Sequence, residues 1–408
     1  MSPTTQTMPE FSFRPSFPFS VWATLPNGNG TFVGKAEAGQ IVTVPACRHW
    51  RVEAHLTTDE ELARCINDLA RFPIPEISIT ATHDRFVSML GNERMLANRL
   101  QTLDLSGKHI SDAATAHAGA LNGLTNLSIT ACDGMTDEGL AHVSKLPSLN
   151  KLTIGICNGM TDEGLAHVSK LPSLNKLTIG TCNGLKQSNL SGPAGLARVS
   201  FIDCANLTQV VLRDLPALWD LFVWDCPGLG AAGTLRMQNC GSLEHAQVGF
   251  VPLTDEVFAD IFGKTLRGLT LWRTAVTDKS IACLGSMPNL EGLALGENQK
   301  ITAQGLSRME ALTSLKTLYL EPFGGMGAEE LDSLALPSNL QRVVLVGLRM
   351  TDETLPLLKK FSGVERFRLE KCRGLTPERW ERLQQDWPGS SFHGDTIVLK
   401  GGLTRLRT

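Results

Sequence analysis

The chain has 408 residues, 42% hydrophobic and 19% charged, enough apolar material for a sizeable core and too little charge for a disordered chain. Its 38 basic and 41 acidic side chains leave a formal charge of −3, which gives no polycationic footprint for nucleic acid. No run approaches the about 18 apolar residues of a membrane span, and the N-terminus lacks the basic and apolar regions of a Sec signal. With ten cysteines and no such signal, the expectation is a cytoplasmic protein with reduced thiols and no membrane partner.

In chain order, residues 1–11 read as a flexible tail and residues 12–73 as an N-terminal β-rich segment followed by a capping helix. Within that segment Asn27-Gly28-Asn29-Gly30 is a turn signal between apolar runs. Thr58-Asp59-Glu60-Glu61 then opens a helix with Leu62, Cys65, Ile66 and Leu69 on one face.

Residues 74–385 are repetitive. The stretch GMTDEGLAHVSKLPSLNKLTIG occupies 134–155 and recurs unchanged at 159–180. Its anchor, Leu-x-x-Leu-x-Leu, also starts at Leu100, Leu124, Leu266, Leu290 and Leu315, with looser copies from Ile74, Leu340 and Val364. Between anchors lies Thr-Asp-x-x-Leu, clearest from Thr136 and Thr161 and varied at Ser111, Thr254, Thr277, Thr302, Thr351 and Thr376. Threonine is a natural helix N-cap, acids in the first turn suit the helix dipole, and Pro377 sits where a missing N–H costs nothing. Each unit is thus predicted as a short strand, a turn and a short helix.

Between about 185 and 265 the period breaks: anchors from Leu196, Leu207 and Leu218 are 11 residues apart, and Leu243 follows after 25. These half steps predict a strand or extended turn on the return side in place of a helix. Residues 386–408 read as a C-terminal cap containing a closing strand in SFHGDTIVLKGG. Neither strand nor helix buries its apolar side alone, so stacked copies form a solenoid, with the segment before residue 74 covering its first layer.

The pattern Leu-x-x-Leu-x-Leu-x-x-Cys followed by Thr-Asp-x-Gly-Leu resembles the leucine-rich repeat family over roughly residues 74–385. In particular it looks like the cysteine-containing subtype known from recognition subunits of F-box ubiquitin ligases and from bacterial repeat proteins. The resemblance implies an α/β solenoid with parallel strands on a concave face and short helices and turns on the convex one. It also implies a non-catalytic, cofactor-free scaffold that binds a partner protein. The alternative is a substrate-recognition adaptor of a ubiquitin-ligase-like system, or a bacterial effector exported by a non-Sec route into host cells; no F-box pattern is present at the N-terminus.

Cys132, Cys157, Cys182, Cys204, Cys226, Cys240 and Cys372 follow their strands at a fixed offset. The family places Asn or Cys there to donate to turn carbonyls; metal binding is the alternative, but no Cys-x-x-Cys pair occurs. His117, His142 and His167 form a second column on neighbouring helices, read as surface rather than a metal site. Gly228-Leu229-Gly230-Ala231-Ala232-Gly233 matches a dinucleotide fingerprint, yet a strand rather than a helix is predicted after it. No Gly-x-Ser-x-Gly, His-Glu-x-x-His or P-loop pattern occurs. A catalytic N-terminal domain would have to rely on Cys47, His49, His55 and Cys65.

Strand alternation sends positions three, five and seven of each anchor outward. In the duplicated units this exposes Lys151, Thr153, Lys176 and Thr178, a small and polar surface. Further along it exposes Phe222, Trp224, Arg236, Trp272, Tyr319, Arg342, Arg366 and Arg368, the residue types enriched in binding hot spots. A one-residue shift of register in the irregular stretch would instead bury Phe222 and Trp224 as core.

Overall fold

Alternate burial is the rule along the repeat strands. In Lys151–Gly155, Leu152 and Ile154 are buried while Lys151 and Thr153 face out, and Asp220–Trp224 repeats this with Leu221 and Val223 inside. The computed structural model describes residues 8–399 apart from 26–29, 48, 57, 73, 75, 93, 230–233, 241, 242, 394 and 395. Asn27–Asn29 of the turn signal and Gly230–Gly233 of the glycine match lie outside those residues. Two compact units divide the chain, Met1–Leu196 and Ala197–Thr408.

In the first unit, Met8 exchanges backbone hydrogen bonds with Cys47 and Phe11–Phe13 pairs with Val42–Val44, so paired chain begins before residue 12. Phe19–Thr24 lies antiparallel to both Gly30–Ala36 and His49–Leu56. His49–Leu56 also pairs in parallel with Glu76–His83, and the sheet continues through Leu100–His109, Asn126–Thr130, Lys151–Gly155 and Lys176–Gly180. The helix Asp59–Arg71 starts at a Thr58–Glu61 capping box. Its buried Asp68 accepts from the Ser16 N–H, the Ser16 hydroxyl and the Phe17 N–H, fastening the helix to the antiparallel strands.

The second unit has the parallel order Arg198–Ile202, Asp220–Trp224, His245–Gly249, Gly268–Trp272, Gly292–Gly296, Thr317–Glu321, Arg342–Val346, Arg366–Glu370. Thr396–Leu399 then pairs antiparallel to the last of these. Where the steps are 11 residues, alternate strands go to the other side of the coil. Gln209–Arg213 pairs with Leu235–Gln238 in a separate parallel sheet, as the half period predicts. These are the stacked strand–turn–helix units of a leucine-rich-repeat solenoid.

Two side-chain ladders hold neighbouring turns together. The cysteine column is one: Cys132 Sγ donates to Leu105 O at 3.6 Å and Thr130 O at 3.3 Å, and Cys157 contacts Ile129 O and Gly155 O likewise. Asn298 occupies the same place, with Nδ2 to Leu271 O at 2.9 Å.

The Thr-Asp pair is the other. Asp137 Oδ1 accepts from the Thr161 N–H at 2.8 Å and Oδ2 from its hydroxyl at 2.6 Å, while Thr161 caps its own helix at the Glu163 N–H. Asp112 does this for Thr136, Asp255 for Thr277 and Asp278 for Thr302. The aspartate therefore binds the next turn as well as favouring its own helix N-terminus.

Thr351 departs from the expected helix start: the helix Thr354–Leu357 has Glu353 as its N-cap. The Thr351 hydroxyl still accepts from the Thr354 N–H at 3.2 Å and its carbonyl from the Leu355 N–H, while the Thr354 hydroxyl accepts from the Thr351 N–H and donates to Arg349 O.

Candidate functional site

The open faces of the two units differ in chemistry. In the first, Glu53, Ser78, Thr102, Asp104, Asn126, Ser128, Lys151 and Thr153 line a depression of about 370 Å³. Burial, then the neighbouring Glu53, raises the Asp104 carboxyl, opposed by His55, Lys151 and the Ser128 hydroxyl. This surface is small and hydrogen-bonding, with no aromatic side chain among its lining residues.

At the antiparallel end of the first unit Trp22 packs on exposed Phe32 and donates to Glu53, whereas the second unit carries an aromatic row on its parallel strands. Phe222, Trp224, Trp272 and Tyr319 are half-buried on the open face, in the register that leaves Leu221 and Val223 as core. Phe222 stacks on Trp224 at 5.6 Å between ring centroids, Trp224 meets Phe250 at 5.5 Å, and Trp272 meets Tyr319 at 5.8 Å.

The two indoles owe their placement to glycines one strand further on. Trp224 pairs with Gly249 and Trp272 with Gly296. A Cβ on Gly249 would stand 2.4 Å from the Trp224 ring, and one on Gly296 would stand 2.2 Å from Trp272. Each indole thus lies across the neighbouring backbone, which anchors it while leaving one face toward solvent.

Beside Tyr319 the floor drops away. His245, Gln247, Gly268, Thr270, Gly292, Ala294, Thr317, Tyr319 and Arg342 line a trough of about 640 Å³ across the strands from His245–Gly249 to Arg342–Val346. A Cβ on Gly292 would meet nothing within 4 Å, so the glycine is open floor rather than a packing necessity. Along the edge where these strands begin runs an alternating charge row. Arg267 reaches Glu244 at 3.6 Å and Glu291 at 3.2 Å, and Lys316 reaches Glu291 at 3.0 Å. Hydrogen bonding and charge from Lys316, with Arg267 behind it, hold the Glu291 carboxyl below the usual carboxylate range.

Burial, and then the Glu321 carboxylate that accepts from its hydroxyl at 2.8 Å, pushes the Tyr319 phenol well above its ordinary value. It remains a proton donor across the physiological range. Arg342, Arg366 and Arg368 lie exposed on adjacent strands, with Arg342 directly opposite Arg366. None of the three holds an acidic partner among the described residues.

Seven of the eight expected surface residues therefore share one sheet face. Arg236 does not: it is exposed on Leu235–Gln238, in the separate return-side sheet, because the 11-residue step moves that strand across the coil. The residues that sequence reasoning passed over are the floor glycines, and Phe250 and Arg273 just beyond their strands, with the guanidinium 5.1 Å from the ring centre. Glycine at outward strand positions was the available signal.

The N-terminal thiols lack the setting of a nucleophile. Cys47 and Cys65 are fully buried, and burial, with Asp68 adding to it, pushes the Cys65 thiol up to about 12. His117, His142 and His167 are half-exposed, the last two beside Lys145 and Lys170. Among the described residues no helix is long and apolar enough to cross a membrane.

No family model and no curated protein matches the chain. Among solved structures it is similar to an internalin (inlF) from Listeria monocytogenes, at 17% identity and a TM-score of 0.46 over 81% of this chain and 87% of that one. It is similar to TLR13 in its complex with ssRNA13, at 17% identity and a TM-score of 0.42, spanning 76% of this chain and 57% of the other. It is also similar to a chain of the Rad7 and Elc1 complex in yeast, at 16% identity and a TM-score of 0.35, over 72% of this chain and 81% of that one.

Proposed function

We propose that the protein is a non-catalytic interaction scaffold whose second unit holds a partner protein on its open sheet face. The observation that carries this reading is the trough itself: a floor of Gly268, Gly292 and Ala294, bounded by Tyr319, on which the anchored Trp272 packs, and ending at unpaired Arg342. Rigid aromatics and arginines around a recess are where association energy concentrates, because they bury large area with little loss of side-chain freedom. A solenoid adds a stiff, extended frame, so the surface is ordered before the partner arrives.

The first unit offers a hydrogen-bonding face with Trp22 and Phe32 beside Arg51 at its antiparallel end, but no comparable trough beside anchored rings among its described residues, which favours the second unit as the energetic centre. Arg342 opposite Arg366 is an uncompensated like-charge pair that a carboxylate of the partner would relieve. The test is affinity capture from the cells that make the protein. Trp224→Ala and Trp272→Ala should each weaken capture of a stoichiometric partner by about 2 kcal/mol, while both variants keep the wild-type unfolding transition. Undiminished capture by the folded double variant would remove this surface as the binding centre. Ubiquitylation of the captured protein in a reconstituted ligase mixture would identify the adaptor role instead of plain scaffolding.

A further inference from the structure

Beyond the ends of the strands, and sharing no lining residue with the trough, lies a second recess of about 460 Å³. Its walls are Glu297, Glu321, the loop Pro322–Gly325, Val346, Gly347, Arg349, Lys371 and Arg373. Backbone pairing builds it: Met326 bridges Leu348, and Arg349 bridges Arg373, extending the sheet past Arg342–Val346 and Arg366–Glu370. Gly325 and Gly347 carry φ of +90° and +74°, and a Cβ on Gly325 would stand 2.8 Å from Gly347 O. The two loops touch there, so glycine is required on steric and conformational grounds.

The charges of the recess are unevenly matched. Glu297 is held by Arg273, and Glu321 by the Tyr319 hydroxyl and by Lys371 at 3.4 Å. Glu330 nearby gives an oxygen to the Gly327 N–H at 2.8 Å, and Asp352 is taken by Arg379 and Arg382. Arg349 and Arg373 are exposed, directly opposite one another, and hold no acidic partner among the described residues. Placing two like charges side by side costs stability unless an anion sits between them. At the mouth of the recess Phe323 is 58% exposed, one of the few large apolar side chains so displayed.

We propose that this recess is an anion pocket for a short acidic peptide segment: a carboxylate between Arg349 and Arg373, and an adjacent apolar side chain against Phe323. A nucleic-acid strand fits less well, because of the basic side chains lining the recess only Arg349 and Arg373 lack an acidic partner among the described residues, too few for a run of successive phosphates. The assignment does not depend on the trough, although one partner could engage both.

The test is isothermal titration at low ionic strength with a capped tetrapeptide of glutamate, glutamate, phenylalanine and aspartate, alongside its lysine-substituted counterpart and inorganic phosphate. The expected result is saturable one-site binding of the acidic peptide only. Arg349→Gln with Arg373→Gln should weaken it about tenfold or more, and Phe323→Ala several-fold. Trp272→Ala should leave it unchanged. Phe323→Ala also covers the case in which the arginine pair fails to fold, since it alters only an exposed loop side chain. No saturable binding at millimolar peptide, loss in Trp272→Ala instead of the arginine variant, or equal binding of inorganic phosphate would each overturn the proposal.

Discussion

At the residue scale, the Thr-Asp-x-Gly-Leu motif has a steric explanation that spacing alone does not reveal. A Cβ on Gly164 would stand 2.2 Å from Asp137 Oδ1, and one on Gly139 would stand 2.4 Å from Asp112 Oδ1. The glycine makes room for the carboxylate that reaches over from the preceding turn. Ser280 stands in the equivalent place, and its hydroxyl donates to Asp255 Oδ1 at 2.5 Å. Helix propensity alone would make Gly164→Ala stabilising by roughly 1 kcal/mol. The clash reverses the sign: Gly164→Ala should lower the urea midpoint, and in an Asp137→Ala background the same change should become neutral or stabilising. Additive effects in that double-mutant cycle would contradict the steric account.

Asp255 supplies a pH signature of the same device. Burial pushes its carboxyl up, but the Ser280 hydroxyl, the Thr277 N–H and the Thr277 hydroxyl outweigh this and leave it below the ordinary range. A depressed folded value means stability that is present above the unfolded value near ~4 and is lost as pH falls through the folded one. Asp255→Ala should therefore be less stable than wild type at neutral pH, with the gap closing in thermal melts as the solution is acidified below that range. A gap independent of pH would assign the loss to packing instead.

At the element scale, most of the fold was legible because the leucine period and the Thr-Asp signal are written in local chemistry. The strand registers, the cysteine column, buried from Cys132 to Cys226 and half-buried at Cys240 and Cys372, and the helix starts at Thr136, Thr161, Thr277 and Thr376 all follow from it. The half-length steps predicted a strand on the return side, and Gln209–Arg213 is one. Arg236 was misplaced by the same region, since alternation within a strand says which face a residue takes but not which sheet receives the strand. Around Thr351 the regular helix begins three residues on, at Thr354, although the Thr351 hydroxyl still accepts from the Thr354 N–H. The use of glycine as a bed for tryptophan was not legible, because the two residues are on different strands, 24 positions apart for Trp272 and Gly296. Gly296→Ala should lift the Trp272 indole off its neighbour, giving a red-shifted tryptophan emission; an unchanged spectrum would show that the ring does not rest there.

At the scale of the molecule, two units of one repeat type present two kinds of surface. The first is a polar sheet face with Lys151, Thr153 and Asp104; the second gathers aromatics, glycines and unpaired arginines. Exposed Arg342, Arg366 and Arg368, together with the recess at Arg349 and Arg373, make the second unit locally basic in a chain of formal charge −3. Such local contrast favours an acidic, partly apolar partner and would speed its encounter at low salt. Capture should accordingly weaken as ionic strength rises.

The most direct measurement fills the trough without removing any contact. A side chain at position 292 meets no neighbouring atom at its Cβ, and the glycine backbone there is not in the left-handed region, so Gly292→Leu should fold as wild type. Affinity capture would compare wild type, Gly292→Leu and Lys176→Ala, the last on the polar face of the first unit. The account predicts one stoichiometric partner retained by wild type and Lys176→Ala and lost from Gly292→Leu. Retention of that partner by Gly292→Leu would contradict it.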